Sequence, residues 1–158
     1  MVKMKGWQKA LVALVLGGLS SFGVSHAQNV TTEVLENSQD YSDRWVQYGR
    51  NYGAWRYMPD DQINRDSVKD LRPVWIKPTG VTGGAFEVTA LVNDGRMYLT
   101  TANSHLIVVD PLTGAELWRY DHDFADVDLC CGPHNRGVAL YEDMVFYGTL
   151  DAHLMAFD

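Results

Sequence analysis

The feature that most constrains the fold is an internal repeat. Shifted by 48 positions, from 97 to 145, the chain lies over itself without a gap. Met97-Tyr98-Leu99-Thr100-Thr101 falls on Val145-Phe146-Tyr147-Gly148-Thr149. In the same register Ser104-His105-Leu106-Ile107-Val108-Val109-Asp110 falls on Ala152-His153-Leu154-Met155-Ala156-Phe157-Asp158. Apolar matches apolar, and Thr, His, Leu and Asp recur identically. A period of about 40 to 50 residues with four short strands per unit is the signature of propeller blades. Each blade buries its faces only against its neighbours. The first copy runs on through Thr113-Gly114 to Trp118, whereas the second reaches only Asp158. The expectation is a chain that stops in mid-blade, a fragment or the N-terminal part of a longer product.

Local signals agree with an all-β class. Period-2 apolar runs predict strands over 71–76, 88–92, 97–101, 106–109, 115–120, 137–141, 144–149 and from 153 to 157. Asn93-Asp94-Gly95-Arg96 between apolar runs signals a hairpin, and Glu142-Asp143 a second. Asp110-Pro111-Leu112-Thr113-Gly114 reads as a tight turn. Before the strands, residues 28–40 read as an irregular polar arm. The stretch 60–71 predicts a short helix capped by Asn64 or Asp66, with Ile63, Val68 and Leu71 apolar and Pro73 ending it. Between them Tyr41, Trp45, Tyr48, Tyr52, Trp55 and Tyr57 are interleaved with Arg44, Arg50 and Arg56. A packed wrap with arginines stacked on rings is favoured there over a binding surface.

The N-terminus carries Lys3, Lys5 and Lys9, an apolar core from Ala10 to Leu19, and Ser25-His26-Ala27 before Gln28. This is the pattern of a cleaved secretory signal peptide over 1–27. The apolar core is too short for a bilayer span, which needs about 20 residues. Cleavage leaves 131 residues and, with three lysines and no acid gone, takes the net charge from −7 to −10. Such acidity argues against nucleic acid, whose phosphates need clustered Lys and Arg. With no second long apolar segment, no membrane span is expected in the mature chain.

The two cysteines of the chain, Cys130 and Cys131, are adjacent, within Asp128-Leu129-Cys130-Cys131-Gly132-Pro133-His134-Asn135-Arg136-Gly137. An exported, oxidising compartment permits a disulfide, whereas a reducing cytosol leaves thiols. If the two bond, the ring spans one peptide, with Cα atoms at most about 3.8 Å apart, which makes it rigid and strained. A flat sulfur-faced ring beside the arginine fork of Arg136 suits a planar, multiply anionic ligand better than a metal. Cys130, Cys131 and His134 match no four-ligand zinc spacing. The acidic run Asp121, Asp123, Asp126 and Asp128 lacks the glycine and glutamate of an EF-hand loop and reads as a solvated connection. His105 and His153 share a repeat position and read as structural.

On these residues the chain resembles a known family. Asp110, Thr113, Gly114 and Trp118 form the Asp-x-x-Thr-Gly-x-x-x-Trp pattern of the tryptophan-docking repeat of quinoprotein propellers. Cys130-Cys131 followed by Asn135-Arg136-Gly137-Val138-Ala139 is similar to the cofactor segment of PQQ-dependent alcohol and methanol dehydrogenases. The similarity runs from about Trp45 to Asp158 and includes the Tyr48-Gly49 to Arg56-Tyr57 and Gly148-Thr149-Leu150-Asp151 stretches.

The resemblance implies that residues 28–158 are the first blades of an eight-bladed, PQQ-binding propeller, with an N-terminal arm and short helix. It implies a vicinal disulfide between Cys130 and Cys131 packed on one face of PQQ, with Arg136 pairing with a cofactor carboxylate or oxygen. Glu87, within Ala85-Phe86-Glu87-Val88-Thr89, takes the place of the family's first-blade glutamate, a polar cofactor contact, although its flanking residues depart from the family's. The implied reaction is periplasmic oxidation of a primary alcohol to the aldehyde, with cytochrome c as electron acceptor. Ca²⁺ or a lanthanide serves as Lewis acid and an aspartate as base. The metal ligands and that aspartate are expected beyond Asp158, so no turnover is expected from this chain alone. The rival reading is a non-catalytic periplasmic propeller scaffold, which shares docking repeats but has no use for an arginine just beyond a vicinal cysteine pair.

Overall fold

Two antiparallel sheets carry the two copies of the repeat in the computed structural model, which describes residues 29–123 and 127–158. The first sheet runs β1 (Leu91–Asn93), β2 (Arg96–Thr100), β3 (Leu106–Val109) and β4 (Glu116–Tyr120), in that order. The second runs β5 (Ala139–Tyr141), β6 (Met144–Gly148) and β7 (Leu154–Phe157). The 48-residue shift carries β1, β2 and β3 onto β5, β6 and β7 end for end. The repeat is therefore structural down to the strand boundaries.

Turn chemistry sets the register. Asn93 pairs with Arg96 across a two-residue loop, in which Asp94 and Gly95 both take positive φ, 48° and 67°. That is the type I′ geometry whose twist matches the strands. Tyr141 pairs with Met144 in the same way, with Glu142 at φ 51°. At the β3–β4 turn, Asp110 Oδ1 accepts the N–H groups of Leu112 (2.8 Å) and Thr113 (2.9 Å). These two donors hold the Asp110 carboxyl below the usual carboxylate range.

The docking tryptophan ties one sheet to the next. Trp118 on β4 meets Phe157 on β7 edge-on, ring centroids 5.1 Å apart, and Tyr120 lies 5.0 Å from the same ring. Strand β3 is consequently buried along its whole length, while β7, edge strand of its sheet, leaves Leu154 78% exposed. A second apolar cluster joins Val30, Val34 and Val46 of the N-terminal segment to Leu91 and Leu140, one from the first strand of each sheet. Val30 and Trp45 also form backbone bridges to Glu142 and Val92.

Three expectations need correction. The arm is not irregular: Thr32–Glu36 form a helical turn, α1, whose N-cap Thr31 accepts the Val34 N–H. The predicted helix within 60–71 is only a 3-10 turn, Val68–Asp70. Asn64 does accept the Asp66 and Ser67 N–H groups, but Ile63, Val68 and Leu71 are exposed, so no apolar face drives further helix. Residues 71–76 form no strand. Pro73 interrupts the run and Pro78 follows it, and its anchor is a side chain: Trp75 Nε1 donates to Pro111 O at 3.0 Å. The Trp75 ring lies against Gly114, where a Cβ would come within 2.6 Å of it. The wrap of 41–57 stacks arginines as expected, Arg44 on Tyr41, Arg50 on Trp45 and Arg56 on Tyr48. Its Tyr52, Trp55 and Tyr57 nevertheless face outward. The signal peptide expected over 1–27 lies outside the described residues, as does Asp126. Among the described residues no helix is long and apolar enough to cross a membrane.

Candidate functional site

The site grows from the loop that links the two sheets. Gly132 at φ 91° turns the chain directly after the cysteines, and the His134 N–H returns to Gly132 O at 2.9 Å. This folds the His134 imidazole over Gly132, where a Cβ would lie 3.1 Å from Nε2. Asn135 then nails the loop down. Its buried amide donates to Gly148 O (2.9 Å), reaches Ser104 Oγ (3.5 Å) and accepts the Gly137 N–H (3.1 Å). Ser104 Oγ also accepts the Leu150 N–H, and Ser104 O accepts the Tyr147 hydroxyl. Both blades and the cysteine loop thus meet at Ser104. Gly84 closes the other side: a Cβ there would sit 2.6 Å from Ala102 Cβ and 3.0 Å from Pro133.

Of the four residues singled out in the sequence, two are brought into direct contact. Arg136 Nη2 pairs with Glu87 Oε2 at 2.8 Å, and His134 Nδ1 stands 4.0 Å from Glu87 Oε1. The Arg136 side chain stays 68% exposed, so most of its fork remains available. Glu87 Oε2 and His134 Nδ1 are shielded from solvent without an aligned hydrogen bond among the described residues.

Cys130 and Cys131 are both exposed, with sulfurs 2.8 Å apart. The two sulfurs therefore face each other across the single peptide that joins the residues. The hydrogen bond with Cys130 holds the Cys131 thiol above its ordinary pKa, with burial adding to it.

Tyr48 belongs to the same cluster, and sequence reasoning missed it. Hydrogen bonding to Arg56, reinforced by its charge and by Arg136 and Thr89, lowers the pKa of the phenol. The signal in the sequence was the aromatic–arginine alternation, which cannot say which ring reaches the cysteine loop.

The chemistry of this donor set can be stated. An arginine fork, a carboxylate, an imidazole and a phenol under positive influence, a few residues along the chain from two exposed cysteines, suit a flat ligand bearing carboxylates and carbonyl oxygens. They do not suit a hard cation, which takes six or more oxygens. Glu87 is already engaged by a guanidinium.

A family model described as PQQ: glucose/ethanol/alcohol dehydrogenase, β-propeller domain, matches residues 45–158. The chain belongs to this family. It is 40% identical over 147 residues to quinoprotein alcohol dehydrogenase PedH of Pseudomonas putida, covering 92% of this chain and 24% of the relative. To the dehydrogenase subunit of alcohol dehydrogenase (quinone) of Komagataeibacter europaeus it is 39% identical over 150 residues, covering 92% and 20%. Among solved structures, quinohemoprotein alcohol dehydrogenase from Comamonas testosteroni superposes with a TM-score of 0.73 at 33% identity, over 80% of this chain and 19% of that one. A europium-containing methanol dehydrogenase superposes at 0.66 and 29% identity, over 80% and 23%. The chain thus spans about a quarter or less of the length of these relatives. The two sheets of this PQQ-family chain are blades of a partial propeller, not closed into a ring.

Proposed function

We propose that this chain contributes one wall of the PQQ pocket of a periplasmic quinoprotein alcohol dehydrogenase that oxidises primary alcohols and passes electrons to a cytochrome c. The observation that carries the reading is the Glu87–Arg136 pair. Glu87 grips one nitrogen of a guanidinium that is otherwise exposed, immediately beyond the cysteine turn. An arginine fixed at one corner presents its remaining N–H groups in a set direction, which favours bidentate capture of a carboxylate.

When bound, PQQ accepts the two electrons and two protons that leave an alcohol as it becomes an aldehyde. The residues of this chain orient and shield. Arg136 holds an anionic edge of the ligand, and Glu87 fixes the position of Arg136. Tyr48, its phenol pKa lowered by hydrogen bonding to Arg56, offers a polar contact on the same side. A disulfide between Cys130 and Cys131 would make a rigid platform on which a flat ring can pack. A Ca²⁺ or lanthanide ion and the base belong to carboxylates of other blades, so residues 28–158 alone do not turn over. The leader-like sequence over 1–27 and the exposed cysteine pair support an exported, oxidising location.

Reconstitution of the full-length protein with PQQ and Ca²⁺ or a lanthanide tests this. Arg136→Ala should weaken quinone retention about 10- to 100-fold, from a charged hydrogen bond worth roughly 1.5–3 kcal/mol. Cys130→Ala should abolish dye-linked alcohol oxidation while leaving the β-type circular dichroism intact. Wild-type retention in the first variant and full activity in the second would refute the wall. A wild-type protein that keeps no quinone and oxidises no alcohol is the scaffold instead.

A further inference from the structure

We propose that His122, Asp151 and His153 form a binding site for a zinc-class divalent cation that staples the first blade to the second. The ligands come from both sides of the seam. His122 follows β4 of the first blade, and Asp151 and His153 lie in the turn between β6 and β7 of the second. His122 Nε2 stands 2.9 and 3.0 Å from the two Asp151 oxygens, and His153 Nδ1 stands 3.3 Å from Asp151 Oδ1. All three ligand atoms lie within 4.8 Å of one another. A tetrahedral Zn²⁺ with bonds of about 2.0–2.1 Å has ligand–ligand edges of roughly 3.3 Å. The two N···O edges are already close to that length. The third closes by rotation of His153, whose side chain is 64% exposed and free to swing.

The donor set and its surroundings select the metal class. Two imidazoles and one carboxylate suit Zn²⁺, Cu²⁺ or Ni²⁺ and not Ca²⁺, which wants oxygen ligands throughout. The side chains of His122 and Asp151 are 7% and 5% exposed, so two ligands are fixed in a dry seam while His153 leaves an entry path. The His122 backbone N–H donates to His105 Nδ1 at 3.0 Å, which anchors the segment that carries the ring. The repeat makes the site specific to this seam: its counterpart of Asp151 in the first blade is Asn103, although His105 matches His153. Binding exchanges N–H···O contacts for metal–nitrogen and metal–oxygen bonds, each imidazole keeping its N–H on the ring nitrogen that faces away from the metal. None of these residues touches Glu87 or Arg136 in the contacts described above.

The test is Zn²⁺ titration of the tag-free, full-length protein after dialysis against a chelating resin, read by calorimetry and thermal unfolding. Asp151→Asn and His153→Ala are compared with wild type, the latter at an exposed position where folding is unaffected. The expected result is one equivalent bound, a Zn²⁺-dependent rise in Tm, and an affinity at least about 100-fold lower in His153→Ala. That loss exceeds the 10–100-fold typical of removing an outer partner of a metal ligand. No Zn²⁺ binding to wild type, or binding unchanged in both variants, overturns the site. Neither readout depends on quinone or alcohol, so a negative result here leaves the PQQ assignment standing, and the reverse.

Discussion

Replacing Asn135 by alanine tests whether the site depends on the joint between blades. The side chain is buried and makes three polar contacts: to Gly148 O, to Ser104 Oγ and from the Gly137 N–H. Ser104 Oγ keeps the Leu150 N–H as a partner, so its loss is minor. The Gly148 carbonyl and Gly137 N–H lose the partner shown here, and water can replace it more readily at the exposed Gly148 than at the half-buried Gly137. A buried polar group left unsatisfied costs about 1–3 kcal/mol. Gly137 is half-buried and Gly148 exposed, so the loss comes mainly from Gly137 and falls near roughly 1–2 kcal/mol. Equilibrium urea unfolding of the full-length apoprotein reads the loss, as a lower midpoint at unchanged slope. Because Arg136 lies between Asn135 and Gly137, quinone retention should fall in the same variant. Asn135→Asp keeps an acceptor for Gly137 but sets a carboxylate oxygen against the Gly148 carbonyl at a buried position, and should lose at least as much. A loss below about 0.5 kcal/mol in Asn135→Ala, with wild-type quinone retention, refutes the view that this amide positions the loop.

Other outcomes follow from the same contacts. The folded-state pKa of Asp110 is depressed, so its contribution to stability is present above the ordinary carboxylate value, about 3.9. It is lost as pH falls through the lower folded value. Asp110→Asn should therefore flatten the acid limb of the stability–pH profile, and an unchanged limb would exclude the turn hydrogen bonds as its source. Gly114 combines φ 71° with a Trp75 ring where its Cβ would be. Gly114→Ala should lose at least about 1–3 kcal/mol from backbone strain alone, and a neutral result in urea unfolding would mean that Trp75 is not seated there. Arg56→Ala should raise the Tyr48 phenol back toward 10.0 in an ultraviolet titration, and no movement would discard the Arg56 effect.

Much of the fold was legible because its signals are local. Asp94-Gly95 takes positive φ cheaply, so it fixes a hairpin whatever surrounds it. The Asp110 turn closes on its own backbone, and the repeat transfers each strand boundary from one blade to the next. Prolines and an alternating pattern could not separate a strand over 71–76 from an extended segment pinned by Trp75, because a strand needs a partner and the pattern does not name one. The N-terminal helical turn escaped for a similar reason: it is stabilised by Val30 and Val34 packing on Leu91 and Leu140, far along the chain.

At the site the division is sharper. The adjacent cysteines and the arginine behind them were readable, since their spacing is covalent and their chemistry intrinsic. The pairing of Glu87 with Arg136 and the approach of Tyr48 come only from the way the linking loop crosses both blades. Nothing in the spacing singles out His122, and the one hint elsewhere, an aspartate at 151 where the first copy has Asn103, gains meaning only once the seam brings both elements together. Sequence alone determines what each residue can do and where the chain turns. The tertiary structure decides which of those capacities meet, because contact between distant residues is a property of packed blades and not of spacing along the chain.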